Sequence, residues 1–543
     1  MTIIVGDIML NQWKKLLKKV FHKPSNTQGT GADRGQDIPV SADLAQNVAC
    51  LRSVFDRCSD IIVREFDVGP GISLRAAIIY VDGLVNKKML SDDLVKTLMY
   101  EAGKLKEKAS GKNAADFFSE KLIAFTEVKH QRSMNDLVDS VLTGETILLV
   151  DGINSGFALS AQDWVQRGLQ EPDTETVVKG PREGFNENLQ TNIMLIRRRI
   201  KSSGLKFETV KIGEYTKTAV SICYLEGVVN PKTVGEVKKR LEGIKVDGIL
   251  ESGYIEELIE DAPLSLFPTV QSSERPDKVA GGLLEGQVAI MVDTTPFMLL
   301  VPVTFPQLLQ ASEDYYLRWP FASFIRGIRF VTLNIALLLP PLYIAVTTYH
   351  QEMLPTPLLI SIAAAREGVP FPAFVEALIM ETTFEVLREA GVRLPRNIGQ
   401  AVSIVGALVI GQSAVTAGLV SPAMVIVVAL TAIASFTLPS YSGAFALRVL
   451  RFPLMALAAG LGLFGIMVGL LAVLIHLSSL RSFGMSYLQP LTPTVWRDFK
   501  DMFLRLPWWM MDTRPKLMGK MNTVREEPGQ KPKAPKRVRR TMK

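Results

Sequence analysis

Carboxylates and arginines that could attract ions lie in Tyr349–Pro395, between segments apolar enough to occupy a bilayer. Charge at membrane depth is costly, so it is usually functional. A helix over Phe371–Ala390 would gather most of its charge into one arc, formed by Glu381, Glu385, Arg388 and Glu389. Glu376 falls on the opposite, apolar arc and therefore requires a partner. The pattern predicts an amphipathic helix that is not surrounded by lipid.

The 543-residue chain is 48% hydrophobic and 21% charged, an average that conceals two unlike parts. Charge is scattered up to about Lys278, whereas Phe324–Ser479 contains long runs with almost none. Four of these runs can cover a hydrocarbon core of about 30 Å. They are Phe330–Thr348, Ile398–Leu419, Pro422–Leu438 and Pro453–His476.

Two further apolar stretches, Val288–Leu309 and Thr356–Ala365, are broken or short, and either could be re-entrant. Basic residues flank the membrane region on both sides, from Arg326 to the terminal KAPKRVRRTMK. Both ends should therefore be cytoplasmic, which implies an even number of crossings. No cleavable secretory signal opens the sequence.

The segment Leu10–Lys23 separates apolar residues from lysines at helical spacing. It is predicted to lie on an anionic membrane surface. The residues expected at that surface are Trp13, Lys14, Lys15, Lys18, Lys19 and Phe21. A partner-binding or simply solvated helix is the alternative, and a polar linker follows up to about Ser41.

An internal repeat marks the soluble half. AAIIYVDGLVN at Ala76–Asn86 aligns with AVSICYLEGVVN, which ends at Asn230, and helix-like segments follow both copies. Each copy reads as a strand, a glycine turn and a helix, so two related α/β subdomains are predicted. The fold class is therefore a multi-domain α/β soluble half followed by an α-helical transmembrane domain. The predicted divisions are 1–41 (helix and linker), 42–178 and 179–275 (α/β subdomains), 276–323 (connector), 324–480 (membrane domain) and 481–543 (basic tail).

Neither subdomain carries a phosphate loop, a dinucleotide fingerprint or a nucleophile motif, so no enzyme activity and no cofactor is predicted. The three cysteines and four histidines show no metal-ligand spacing, and the cysteines read as structural thiols. The run Arg197–Arg199 could touch anionic headgroups, with a solvated helix face as the alternative. No nucleic-acid partner is predicted.

Several long strings, in the same order along the chain, resemble the A subunit of the GerA family of spore germination receptors. The resemblance runs from about residue 45 to 520. It rests on GPREGFNENLQTNIMLIRRRI from Gly180, ERPD from Glu274, GQVAIMVDTTP from Gly286, EDYYLR from Glu313, YHQEMLPTPLL from Tyr349, and the apolar string Ser403–Pro439.

The resemblance implies a nutrient-gated channel in the inner membrane of a bacterial endospore. A subunits would form a ring, a pentamer in the family, beside a B subunit that senses the nutrient and a lipoprotein C subunit. Opening would release monovalent cations and start germination. The basic tail after about Lys520 lies outside the resemblance.

A ring channel needs close helix contacts and a constriction, and Ile398–Leu419 offers a surface for each. The small residues on one surface permit close backbone approach and are Gly399, Ser403, Ala407, Gly411 and Ala414. The other surface could gate a pore by staying dry and carries Val402, Val405, Val409 and Gln412. These valines could instead face lipid or a neighbouring helix.

Repeated around a ring, Glu381, Glu385 and Glu389 would form a negative vestibule that concentrates cations. Arg388 can pair with Glu385 three residues earlier, and a purely structural ion-pair helix is the alternative. Two other functions stay open: a secondary transporter, which usually shows an inverted repeat of its spans, or a membrane scaffold whose α/β half recruits proteins. A ring-shaped oligomer would favour the channel and a monomer the transporter.

Overall fold

The computed structural model describes residues 38–68, 75–96, 98–99, 128–163, 171–172, 174–394, 409, 411–516, 518–519, 521–527 and 529–532. They divide into two units. An α/β unit holds the described residues up to Glu260, Val270–Pro302 and those from Trp508 on. A helical unit holds Asp261–Thr269 and Val303–Pro507.

Five antiparallel strands form the first sheet, in the order β1-β2-β4-β5-β3. Helices α1 (Leu44–Val54) and α2 (Met134–Thr143) share a core with one face, and the apolar residues of 90–98 cover the other. Because both faces are covered, every residue of the central strand β4 is buried, and all but its first residue, Thr146, are apolar. The strands are β1 Ile61–Asp67, β2 Arg75–Val81, β3 Val128–Gln131, β4 Thr146–Val150 and β5 Gly156–Leu159.

The second sheet repeats the first. Its order is β6-β7-β9-β10-β8. In both sheets the strands therefore follow the order first, second, fourth, fifth and third along the chain. The strands are β6 Leu205–Ile212, β7 Thr218–Leu225, β8 Gln271–Ser273, β9 Val288–Val292 and β10 Met298–Val301. The helices are α3 Leu189–Arg199, α4 Pro231–Glu242, α5 Ser252–Ile259 and α6 Pro276–Glu285. The predicted pair of related α/β subdomains is confirmed.

The repeat extends to single hydrogen bonds at the start of α1 and α3. Asn47 and Asn192 each donate a side-chain N–H to a carbonyl six residues earlier, at 2.6 Å in both copies. Asp151 and Asp293, each just after the corresponding strand β4 or β9, accept the first N–H of α1 and α3 at 3.2 Å. These side chains satisfy helix N-termini that would otherwise lack acceptors.

The sequence interpretation of Val288–Leu309 as a possible re-entrant segment was wrong. Its first half forms β9 and β10, the former a central strand of the second sheet, with every residue of both strands buried. A strand covered on both faces has the same apolar composition as a membrane segment. For the same reason the second subdomain does not end at residue 275, because α6, β9 and β10 complete it.

Two interpretations were offered for the arginine run Arg197–Arg199, contact with anionic headgroups and a solvated helix face. Both are wrong for Arg197. Arg197 is fully buried and forms a two-pronged ion pair with Asp60, with nitrogen to oxygen distances of 2.8 and 2.9 Å. Arg198 and Arg199 pair with Glu183 at 3.6 and 2.8 Å. Arg197 therefore joins α3 to the residue just before β1 and touches neither membrane nor solvent, whereas Arg198 and Arg199 join α3 to Glu183.

The cysteines are free thiols, as the sequence suggested. Cys58 and Cys223 are buried near Arg197, and desolvation raises the pKa of both thiols. A raised pKa keeps a thiol protonated and unreactive. These two residues therefore serve as core packing.

Five helices make up most of the helical unit. They are α7 Trp319–Thr348, α8 Thr356–Arg366, α9 Ala373–Arg393, α10 Pro422–Phe436 and α11 Tyr441–Ser479. Within the described residues, α7 and α11 are long and apolar enough to cross a membrane, and α8 and α10 are shorter apolar helices. The predicted span Phe330–Thr348 lies inside α7, whereas most of Ile398–Leu419 falls outside the described residues.

The predicted single span Pro453–His476 is wrong, because α11 reverses direction at Gly462. The backbone there is non-helical, with φ 63° and ψ −141°. Beyond the turn, Gly469 lies against Leu454, 15 positions earlier, and Leu477 joins the apolar cluster that contains Ala444. The helix is therefore a hairpin with arms 441–461 and 463–479, each roughly 25–32 Å long.

The chain enters and leaves the helical unit at one end of this hairpin. The N–H of Val303 donates to Ser482 Oγ at 3.0 Å, beside the short β11–β12 ribbon of Arg481–Ser482 and Met485–Ser486. At the start of α7, Arg326 and Arg329 pair with buried Asp314 at 2.9 and 2.7 Å. Buried ion pairs and a short β-ribbon are therefore found at this end of the helices.

The residues after 480 do not form one basic tail. Those up to Pro507 fold with the helical unit, and the described residues from Trp508 on fold with the α/β unit. Arg525 pairs with Glu285 at the end of α6 at 2.7 Å, and Arg514 donates to the carbonyl of Leu284 at 2.7 Å. Part of the basic charge assigned to the tail is thus used in internal contacts.

Candidate functional site

Helix α9 carries the carboxylates singled out from the sequence and packs against α7, α10 and α11. Pro372 precedes its first residue, and the described helix ends at Arg393. Two of its glutamates, Glu376 and Glu381, are buried. The chemistry of this site therefore depends on what each carboxylate contacts.

Glu376 has the partner that its position on the apolar arc required. Its carboxylate pairs with Arg366 at the end of α8 at 3.2 Å and accepts the N–H of Ser421 at 2.9 Å. Ser421 caps α10, since its side chain accepts the N–H of Met424. Glu376 thus joins α8, α9 and the start of α10, and the prediction of a partner is confirmed.

Glu381 forms a buried ion pair with Arg451, on the first arm of α11. Both side chains are only 2% exposed. Arg451 also donates from Nε to the carbonyl oxygen of Ala336 in α7, at 2.9 Å. One ion pair therefore joins three helices in the apolar part of the unit.

Glu385 lies between two arginines. It pairs with Arg448 at 3.0 Å and with Arg388, three residues later on its own helix, at 3.6 Å, as the spacing predicted. Arg388 also donates to Ser435 Oγ at 3.0 Å and lies over the Phe436 ring, 4.5 Å from its centroid. The arginine thus joins α9 to the end of α10.

The three vestibule candidates differ in their surroundings. Glu389 is exposed and pairs with Arg393 at 2.6 Å. Glu381 and Glu385 are held in ion pairs with arginines of the same chain. The geometry of these two favours the structural ion-pair alternative, and Glu389 is left as the carboxylate open to solvent or to another subunit.

Only part of the predicted gate and packing surfaces can be located. Val409 is half exposed and Gln412 is exposed, whereas Val402 and Val405 lie outside the described residues. Gly411 is buried near Val425 of α10, and Ala414 is partly buried in an apolar cluster. Three packing candidates, Gly399, Ser403 and Ala407, and the surface helix residues Trp13, Lys14, Lys15, Lys18, Lys19 and Phe21 also lie outside the described residues.

The turn of the α11 hairpin has two partners that sequence reasoning missed. The hydroxyl of Tyr349 lies 2.8 and 3.0 Å from the carbonyl oxygens of Ala459 and Gly460. The N–H of Leu463 donates to His350 Nε2 at 3.4 Å. Because the reversal frees these backbone groups, side chains just after α7 take the place of helical hydrogen bonds.

Gly462→Ala is expected to lower the stability of the chain in detergent by about 2 kcal/mol. Its backbone conformation is nearly restricted to glycine, and a β-carbon would lie 2.9 Å from His350 Nε2. Gly460→Ala is the matched control, because a β-carbon there meets nothing within 4 Å among the described residues. Thermal unfolding measures both; equal melting temperatures would mean that the turn tolerates a side chain.

The family model for the Bacillus/Clostridium GerA spore germination protein matches residues 49–517. The chain belongs to the GerA family. The match includes both α/β subdomains and all five helices α7–α11, so the two units described above are parts of one family architecture.

Two proteins from Bacillus subtilis (strain 168) are similar to this chain over nearly its whole length. Spore germination protein KA is 46% identical over 500 residues, covering 92% of this chain and 91% of that protein. The uncharacterized membrane protein YfkQ is 46% identical over 498 residues, covering 91% and 95%.

One solved structure is also similar. It is the N-terminal domain of the A subunit of the Bacillus megaterium spore germinant receptor GerK3. It is 38% identical and matches 50% of this chain and 99% of the solved chain, with a TM-score of 0.41.

Within this GerA family chain, the arginines of α11 were the largest omission of the sequence reasoning. The predicted span began at Pro453 and therefore did not include Arg448 and Arg451. The signal was present, because two arginines three residues apart fall on one helix face, as do Glu381 and Glu385 four residues apart. Matching charges on two apolar helices point to a buried pair.

Proposed function

We propose that this chain is the A subunit of a nutrient-responsive spore germination receptor and forms an oligomeric cation channel. Membership in the GerA family over residues 49–517 carries the proposal. Opening would release monovalent cations from the spore and start germination. An integral-membrane B subunit would sense the nutrient, and a lipoprotein C subunit would complete the receptor in the inner membrane of the endospore.

The geometry of the helical unit is compatible with a ring of subunits, which we propose is a pentamer. Ion pairs from Glu376, Glu381 and Glu385 hold α9 against its neighbouring helices, so the helical unit of each subunit can form one rigid segment of the ring. Val409 and Gln412 remain exposed on the helical unit and are available to a pore or to the next copy. Glu389 is exposed at the far end of α9, where solvent and cations can reach it beside its partner Arg393.

The symmetry of the detergent-solubilised complex tests this proposal most directly. A ring of identical subunits, seen as rotational symmetry in projection images and as a multiple of 59.9 kDa by mass, supports the channel. A monomer would contradict it and favour a transporter. If the complex is a ring but liposomes that contain it do not conduct potassium, the oligomer is supported and the channel is contradicted.

Val409→Ala is expected to produce spores that lose potassium or germinate without nutrient. If Val409 faces a dry pore, removing two methyl groups from every subunit widens and wets the constriction. Potassium content of dormant spores and spontaneous germination report the leak.

Val386→Ala is the matched control, because Val386 is also exposed on the helical unit. Equal leaks from both variants would indicate general loosening of the helices. Spores carrying Val409→Ala that stay dormant, with protein at the parental level, would exclude Val409 from the gate.

A further inference from the structure

Three arginines and two glutamates form one cluster between α9 and α11. Glu381 and Glu385 face Arg388, Arg448 and Arg451, so the cluster carries one unbalanced positive charge. Among the described residues, no other carboxylate is paired with these three arginines. An excess charge among apolar helices is costly and calls for an anion from outside the chain.

Part of the hydrogen-bonding capacity of the three guanidinium groups is also unused. Arg388 Nε, Arg448 Nε and Arg451 Nη2 are buried without an acceptor among the described residues, and one carboxylate oxygen of the same cluster, Glu381 Oε1, is buried without a donor. Arg388 and Arg448 are the outermost of the three, with side chains 15% and 7% exposed. Arg388 and Arg448 therefore lie at the edge of the cluster, whereas Arg451 is enclosed.

Aromatic rings surround the accessible edge of the cluster. Arg388 lies over Phe436, and Arg448 lies over Phe445 and Tyr441, 5.2 and 6.0 Å from their centroids. The three rings are themselves 51–71% exposed. Exposed aromatic residues around cations are typical of the level at which a bilayer meets water.

The position in the helical unit agrees with that level. Thr437, just after Phe436, lies 2.5 Å from Thr332 in the first half of α7, near the polar cluster of Arg326 and Arg329. The second arm of α11 returns to the same end, where Leu477 packs in the cluster of Ala444. Arg388 contacts Ser435, two residues before Thr437, and Arg448 lies about two helical turns from the start of α11, at the end at which the chain enters and leaves the unit.

We propose that Arg388 and Arg448 form a binding site for the phosphate of an anionic phospholipid at this end of the helical unit. The phosphate would balance the excess charge, and the acyl chains would lie against Phe436 and Phe445. Basic pockets between membrane helices bind anionic headgroups by this chemistry. The inference rests on the proposed membrane placement of the helical unit and does not depend on channel activity.

Native mass spectrometry of the detergent-purified full chain tests the site. Phosphatidylglycerol is expected to remain bound where phosphatidylcholine is lost, and to raise the melting temperature. Arg388→Gln should lower the apparent affinity for phosphatidylglycerol about fivefold, as should Arg448→Gln, because one cation near an anionic lipid contributes about that factor. Arg448→Lys should restore part of the affinity, since it keeps the charge.

Arg393→Gln is the matched control. It removes the same charge from the same region of the chain, but at an exposed pair with Glu389. Unchanged lipid affinity in this variant, with loss in the other two, supports the site. An equal loss of lipid affinity in all three variants would show that only the overall charge matters, and it would overturn the proposed site.

The remaining outcomes also decide the question. Stabilisation by inorganic phosphate alone, at concentrations equal to those of the lipid, would identify a free anion as the ligand and overturn the lipid site. Melting that depends on protein concentration and on Glu389→Gln, but not on lipid, would assign the balancing charge to a second copy. A chain that stays soluble without detergent would instead refute the membrane placement.

Discussion

Arg451→Met is expected to cost the helical unit about 3–5 kcal/mol and to leave little folded protein in membranes. The substitution leaves the carboxylate of Glu381 buried without its cation, and breaking a buried ion pair from one side is strongly destabilising. Unfolding free energies in mixed detergent micelles measure the loss. The double variant Arg451→Met with Glu381→Gln should recover part of it, since neither charge of the buried pair remains.

The matched control is Arg393→Met, whose partner Glu389 is exposed. That pair has side chains 78% and 65% exposed, and exposed pairs contribute at most about 1 kcal/mol. If Arg451→Met costs no more stability than Arg393→Met, the Glu381 carboxyl faces water. Glu381 would then again be a candidate for the negative vestibule.

Arg197→Met is expected to destabilise the α/β unit by about 3–5 kcal/mol. The variant leaves Asp60 charged in the core and removes the donor from the carbonyl oxygens of Ser202 and Leu205. Cys58 and Cys223 are buried close by and report opening of this core. Their labelling by a thiol reagent should accelerate at least about a hundredfold, since each 1.4 kcal/mol changes the open population about tenfold.

Arg198→Met serves as the control, because its pair with Glu183 is partly exposed and long, at 3.6 Å. Its labelling rate should stay near that of the parent chain. Equal rates for Arg197→Met and the parent would show that the Asp60 pair does not hold the core together.

The sequence was sufficient for the architecture where the chain repeats itself. The glycine turns at Gly83 and Gly227, both with positive φ, and the apolar strands before them are local features, and they predicted two related subdomains correctly. Strand order depends on contacts between distant residues. No local pattern in Val288–Val292 distinguishes a covered central strand from a membrane segment.

The same limit applied to the charged site. The spacing of α9 was enough to predict that Glu376 needs a partner and that Glu385 meets Arg388. It was not enough to show that Glu381 meets Arg451, because that pair joins residues 70 positions apart. A charged arc on one helix is compatible with water or with another helix, and only the packing of α11 distinguishes them.

The reversal of α11 at Gly462 also bears on how the protein is made. Two apolar arms joined by a tight turn can enter a bilayer together as a helical hairpin, with only the turn carried across. Insertion of this hairpin would leave the residues just before Tyr441 and those just after Ser479 on the same side of the membrane. A straight 39-residue helix of this composition would instead place its two ends on opposite sides of a bilayer.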